Sequence, residues 1–170
     1  MADFKGNSGG YRGTGGYGGK GAFQGRGGGK RDSIDNSVSL PSGYNADDIR
    51  DKNGDFNVAY VTNVATDVAK AISQSNMGTS KIRSYYDMLI KIIDEVRSKS
   101  ININMATREV AMMLSRVKAR YTKETASKAF LDFITLNTNR ILELPDNKRV
   151  EAMQDFKYHY EAVIGFMSKK

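Results

Sequence analysis

The stretch that decides the fold runs from residue 79 to residue 96 and reads TSKIRSYYDMLIKIIDEV. Its apolar side chains recur every three or four residues, at Ile82, Tyr85/Tyr86, Leu89, Ile92/Ile93 and Val96. This spacing places them along one face of an α-helix and leaves the charged residues on the opposite face. The stretch therefore predicts an amphipathic helix that packs against other helices, with Thr79 or Ser80 as its N-terminal cap.

The same periodicity predicts four more helices around this one. We expect them at about residues 55–75 and 104–121, from Thr122 or Thr125 onward, and after Leu144-Pro145-Asp146, where the proline is tolerated in the first turn. No segment shows the period-two alternation of a half-buried strand. The predicted fold class is therefore all-α, a compact bundle of about five helices over residues 55–170.

The first thirty residues have a different composition, with 13 of the 17 glycines of the chain. Such a segment cannot bury enough apolar area to offset its backbone entropy, so we expect residues 1–30 to form a disordered Gly/Arg/aromatic tail. Residues 31–54, which contain Pro41-Ser42-Gly43 and Asn53-Gly54, are predicted to be a polar acidic linker.

The tail has three open interpretations. Arg12 and Arg26 stand in Tyr-Arg-Gly and Gly-Arg-Gly-Gly contexts, which are typical of tails that contact RNA through mobile arginines and stacking aromatics. The tail could equally be an inert flexible extension, or an extension added for cloning or for one partner. Arg12 and Arg26 are accordingly candidate RNA contacts only.

The net charge of +7 is unevenly distributed along the chain. Residues 1–31 carry a net charge of +5, residues 32–55 carry −4, and residues 56–170 carry +6. Both outer segments are therefore expected to attract polyanions such as nucleic acid, and the middle segment is not.

The residues needed for most chemistry are missing from the sequence. There is no cysteine and only one histidine, His159, so neither a disulfide nor a typical zinc site is expected. His159 is predicted to be a flanking or surface residue of the last helix. The glycine runs match no phosphate-binding loop, and no nucleophile motif is present. We therefore predict a protein without enzymatic activity, cofactor or metal.

The sequence also predicts a cytoplasmic protein. The first ten residues have no apolar signal core, and no apolar stretch approaches the roughly 20 residues of a membrane span.

Basic side chains form the remaining pattern. In the third predicted helix Arg116, Arg120 and Lys123 are spaced i, i+4, i+7 and so line one side, with Lys118 nearby in sequence. At the start of the second helix Lys81 and Arg83 flank Ile82, where free backbone amides and the helix dipole favour a phosphate. These six cations are the candidate RNA-binding residues, although solvated helix decoration would give the same pattern. Such contacts would hold the RNA backbone without reading its sequence.

Three stretches resemble one known family. Residues 78–86, GTSKIRSYY, resemble the Thr-Ser-x-Ile-Arg-x-Phe/Tyr opening in the small subunit of type III-A CRISPR (Csm) effector complexes. Residues 113–120, MLSRVKAR, resemble the basic third-helix segment of that family, although Ser115 stands where proline is common. Residues 156–166, FKYHYEAVIGF, are similar to its terminal helix. The likeness covers about residues 60–168, and the glycine-rich tail is not part of the family pattern.

The resemblance implies a non-catalytic, inner-filament subunit of an RNA-guided antiviral complex. As implied partners it gives the CRISPR RNA and the target RNA, the backbone and large subunits that the protein would bridge, and other copies of the chain. Carried onto this sequence, it favours Lys81 and Arg83 as RNA contacts, followed by Arg116, Lys118 and Arg120.

Two other functions stay open. The chain could be a free-standing RNA chaperone that binds through its tail, with the helical bundle as an oligomerisation platform. It could also be a structural interaction protein whose basic faces meet acidic partners.

Overall fold

The structure is a computed structural model, and it describes residues 33–167. It contains five α-helices: α1 (Asn63–Gln74), α2 (Thr79–Arg97), α3 (Ile103–Thr122), α4 (Lys128–Glu143) and α5 (Asp146–Met167). Two short 3-10 helices, Ala46–Ile49 and Val58–Val61, precede them. No β-strand occurs in this part of the chain, so the prediction of an all-α bundle of five helices is confirmed. The predicted tail, residues 1–30, lies outside the described residues.

Two helix starts differ from the sequence prediction. The first helix begins at Asn63 rather than near residue 55, because Asn57 accepts a hydrogen bond from the amide of Ala59 and starts a separate 3-10 turn. The fourth helix begins at Lys128 rather than at Thr122 or Thr125. Its cap is Ser127, whose hydroxyl accepts a hydrogen bond from the Phe130 amide at 3.2 Å. In both cases a side-chain cap decides where the helix begins.

Helix α5 is the central element of the bundle, since it contacts each of the other four helices. Its Phe156 and Tyr160 pack around Phe133 of α4, with ring centroids 5.5 Å and 5.2 Å from that of Phe133. The Tyr160 hydroxyl donates a hydrogen bond to the Ile82 carbonyl at 2.8 Å. The aromatic contacts fix α5 against α4, and the hydrogen bond fixes it against the first turn of α2, where the predicted RNA contacts begin.

His159 is fully buried, which contradicts its prediction as a flanking or surface residue. The prediction assumed that α5 buries one narrow stripe, as a helix at the edge of a bundle does. Because α5 is surrounded by the other helices, its buried face is wider and includes the polar residues Asp155 and His159.

The segment before α1 contributes to the core. Ile49 is fully buried and Ala46 is 3% exposed. Arg50 binds Asp155 of α5 through two hydrogen bonds, Nε–Oδ2 at 2.7 Å and Nη2–Oδ1 at 2.8 Å. The residues whose composition suggested a linker are therefore held against the bundle by packing and by a partly buried ion pair. The division of the chain at residues 30 and 54 stays a prediction.

Candidate nucleic-acid interface

The N-terminal end of α2 and the C-terminal end of α3 lie side by side and run in opposite directions. The Lys81 Nζ atom donates a hydrogen bond to the backbone oxygen of Thr125 at 3.3 Å. One turn further along α2, the guanidinium carbon of Arg120 lies 5.8 Å from the centroid of the Tyr85 ring. The seam between the two helices thus brings a cation from each helix to one place.

A third contact between α2 and α3 continues this seam. The Arg116 Nη1 atom lies 3.0 Å from the sulfur of Met88. Lys123, the C-terminal cap of α3, is exposed at the other end. We call Lys81, Arg116, Arg120 and Lys123 the basic ridge. Four of the six cations predicted within the helices therefore follow a single seam.

The arginines of the basic ridge are exposed, but they rest on ordered side chains. Tyr85, beneath Arg120, is only 2% exposed. Its burial raises the pKa of the Tyr85 hydroxyl, and the charge of Arg120 opposes that rise. The neutral ring and the Met88 thioether restrict the two guanidinium groups before any ligand arrives. Less rotamer entropy is then lost on binding.

The first turn of α2 differs from its prediction. The N-cap is Gly78, and no side chain caps the helix, so Thr79 and Ser80 do not have the predicted capping role. Gly78, Thr79 and Ser80 are all exposed. Backbone amides at an uncapped, exposed helix start can donate to an anion, and the helix dipole adds a partial positive charge there. This site lies at the Lys81 end of the basic ridge.

The structure separates two predicted contacts from the basic ridge. Arg83 comes two residues after Lys81, and Lys118 comes two residues after Arg116. Two residues correspond to roughly 200° of rotation around a helix axis. Arg83 is therefore on the opposite flank of α2, and Lys118 is on the side of α3 that faces away from α2. Both side chains are exposed, and their RNA contact stays a prediction. The tail candidates, Arg12 and Arg26, lie outside the described residues.

Sequence analysis missed Tyr85 and Met88 as supports for the arginines, because it assigned Tyr85 only to the apolar stripe. A usable signal was present. Residues 81, 85 and 88 of α2 have the same i, i+4, i+7 spacing as Arg116, Arg120 and Lys123 of α3. Side-chain rows on two helices meet when the helices pack side by side.

The described residues offer little for other chemistry. Between residues 33 and 167 there is no group of three or more histidine, cysteine, aspartate or glutamate residues that could hold a metal ion. None of the helices in that range is both long enough and apolar enough to cross a membrane. The basic ridge is thus the site that the following proposal uses.

A comparison with protein families gives a match. A family model described as Csm2 Type III-A matches residues 55–169, which includes all five helices and the whole basic ridge. Comparisons with curated proteins and with solved structures find no match.

Proposed function

The chain belongs to the Csm2 Type III-A family, the small subunits of the type III-A effector complex, and we propose that it holds the backbone of the guide–target RNA in that complex. The observation that carries the proposal is the basic ridge, in which Lys81, Arg116 and Arg120 converge on one seam and the arginines are supported from below.

The chemistry of the basic ridge suits phosphates better than base edges. Guanidinium and ammonium groups on a helical surface bind phosphate oxygens strongly, and such contacts carry no sequence information. In an RNA-guided complex, base pairing with the guide supplies the specificity. A subunit that binds only the backbone can therefore accept any guide and any target.

The same proposal gives the chain a non-catalytic role in antiviral defence. We expect it to bridge the backbone and large subunits of the complex, to contact other copies of itself, and to act in the cytoplasm. Family membership supports each of these expectations.

The test is a charge reversal on the basic ridge in the assembled complex. Replacing Arg116 and Arg120 by glutamate should weaken target-RNA binding at least tenfold for targets of unrelated sequence, because two attractive phosphate contacts become repulsive. The measurement is a filter-binding titration with two guides and their matching targets. Circular dichroism checks that the helical content is unchanged.

A matched control makes the same change of net charge elsewhere. Lys70→Glu with Lys91→Glu alters two exposed lysines, which are 66% and 74% exposed, outside the basic ridge. This control should change RNA affinity by less than about threefold, through long-range charge alone. Equal losses in both double variants would contradict a localised backbone contact.

Removing the tail separates this proposal from the chaperone alternative. The deletion should end at residue 30, because Ile49 and Arg50 stabilise the bundle and must be retained. If the proposal holds, the shortened chain still supports RNA binding by the complex. Loss of all RNA binding with the tail would favour the free-standing chaperone.

A further inference from the structure

A second surface of the protein is a groove of about 660 Å³ beside α5. It lies between the C-terminal end of α2, the turn before α1 and the N-terminal half of α5. The residues that define its chemistry are Arg50, Phe56, Arg97, Lys148, Gln154 and Tyr158. Arg97 lies sixteen residues after Lys81, roughly 160° further around α2. The groove is therefore on the other side of α2 from the basic ridge.

Aromatic surface is exposed in this groove. Tyr158 is a large aromatic residue, and it is 47% exposed. Its ring meets Phe56 edge to face, with 6.1 Å between the centroids. The Lys157 ammonium lies 5.5 Å from the Tyr158 centroid. Phe56 thus holds the tyrosine ring in place, and Lys157 adds positive charge beside it.

Hydrogen-bonding groups and cations line the same groove. Arg97 and Lys148 are both exposed. The Arg97 side chain makes no hydrogen bond or ion pair with the residues that the structure describes. A ligand with a flat ring and a negative charge would match the exposed Tyr158 ring and these two cations.

The acidic residues of the groove leave this chemistry intact. Asp155 is nearly buried, and both Arg50 and Arg140 bind it, so its charge is compensated. Glu151 is 48% exposed at the rim, between Arg50 and Lys148. The cations therefore outnumber the uncompensated acids on the open side of the groove.

We propose that this groove binds one unpaired nucleotide of an RNA strand. The base stacks on Tyr158, and Arg97 and Lys148 contact the adjoining phosphates. Stacking on an aromatic ring is how proteins bind unpaired bases with little sequence preference. The surface is distinct from the basic ridge, so the inference does not depend on the function proposed above.

The test measures binding of a fluorescein-labelled ten-nucleotide oligoadenylate to the full-length chain by anisotropy. Tyr158→Ala should weaken binding about tenfold, the range expected for the loss of one base–aromatic stack, and Tyr158→Phe should leave it nearly unchanged. Arg97→Ala should lower the slope of log affinity against log salt by about 0.7, the value for one lost phosphate contact on a single strand. Arg97 contributes no side-chain bond to the described fold, so its replacement tests the groove even if Tyr158→Ala reduces stability.

The matched control is Phe166→Ala. Phe166 is on the same helix, is 37% exposed and lies outside the groove, so its loss should leave RNA affinity unchanged. An oligonucleotide with abasic sites should bind the wild-type chain about as weakly as the normal strand binds the Tyr158→Ala variant. Equal binding of the abasic and normal strands, or unchanged affinity in both Tyr158→Ala and Arg97→Ala, would overturn the proposal.

A strand and a free nucleotide both present a base and a phosphate. Competition with adenosine monophosphate therefore tests which of the two the groove binds. Displacement of the labelled strand only at concentrations far above the dissociation constant of the strand supports the proposal. Binding of the mononucleotide as tight as that of the strand would overturn it. An acidic peptide that displaces the strand at equal concentration would overturn it in favour of a protein partner.

Discussion

The Nδ1 atom of His159 in α5 lies 2.5 Å from the backbone oxygen of Tyr60, ninety-nine residues earlier in the chain. A carbonyl oxygen only accepts, so Nδ1 must be the protonated nitrogen of the neutral ring. The Nε2 atom, 3.1 Å from the Tyr44 hydroxyl, then accepts a hydrogen bond from it. That hydroxyl in turn accepts from the Asn137 side chain at 2.7 Å. This chain of hydrogen bonds joins the segment before α1 to α4 and α5.

The first prediction is a loss of stability at mildly acidic pH. Burial lowers the pKa of His159 to about 4 from 6.5. The unfolded chain therefore takes up the proton more readily than the folded chain does. The free energy of unfolding should fall as the pH is lowered from about 6.5 to about 4, by up to about 3 kcal/mol. Urea unfolding followed by circular dichroism at several pH values measures this change.

The control for this prediction is His159→Gln, which cannot be protonated in this range. The variant should be less stable at pH 7, but its stability should depend much less on pH between 6.5 and 5, above the range where most carboxylates titrate. A pH dependence as steep as that of the wild type would show that other groups cause the acid sensitivity.

The second prediction concerns the ion pair that holds the segment before α1. The Asp155 side chain is only 4% exposed and is shared by Arg50 and by Arg140, whose side chain is 10% exposed. Asp155→Ala removes the carboxylate that both arginines share and leaves the nearly buried Arg140 without an acidic partner, so it should cost about 3–5 kcal/mol in the free energy of unfolding. Arg50→Ala should cost less, since Arg140 still compensates Asp155. Chemical denaturation measures both values.

Glu151→Ala is the control for the ion pair. Glu151 also pairs with Arg50, at 3.1 Å, but its side chain is 48% exposed. Solvent weakens such a pair, so the expected loss is below about 1 kcal/mol. If Asp155→Ala cost no more than Glu151→Ala, the partly buried pair would not be what fixes this segment.

The third prediction concerns the salt dependence of RNA binding. Arg116→Ala and Arg120→Ala should each lower the slope of log affinity against log salt by about 0.7 for single-stranded target RNA. Lys70→Ala, at an exposed position outside the basic ridge, should leave the slope unchanged. The measurement is a set of titrations between 50 and 300 mM salt (about a sixfold range, which suffices to define the slope). A drop of the same size for Lys70→Ala would contradict a localised backbone contact.

The fourth prediction separates stability from binding at the start of α2. Gly78 is an N-cap with extended backbone angles (φ −63°, ψ 133°) and open space around its α-carbon. Gly78→Asp should cap the helix and interact favourably with its dipole, which adds about 0.5 kcal/mol to the free energy of unfolding. The same carboxylate should weaken RNA binding, because it occupies the position proposed for a phosphate.

Gly78→Asn isolates the charge in that experiment. Asparagine caps a helix about as well as aspartate but is neutral. It should therefore give a similar gain in thermal stability with little change in RNA affinity. If both variants bound RNA like the wild type, the start of α2 would not be part of the interface.

Much of the fold follows from local patterns in the sequence. The stripe from Ile82 to Val96 requires a helix with one apolar face, and the same spacing recurs in the four other helices. This information lies within a few residues of each position, so a single sequence is enough to read it. The family could also be inferred from short motifs, such as the one around Lys81 and Arg83, and the family model confirms that inference.

What the sequence determined by itself was the all-helical fold, the family and six candidate cations on the second and third helices. The tertiary structure decided that Arg116 and Arg120 join Lys81 and that Lys118 does not. It also decided that His159 is buried against Tyr60 and that Arg50 binds Asp155, contacts that span 99 and 105 residues. The physical reason is that helix periodicity is a local property. Which side of a helix meets a neighbour, and how wide its buried face is, depends on how all five helices pack together.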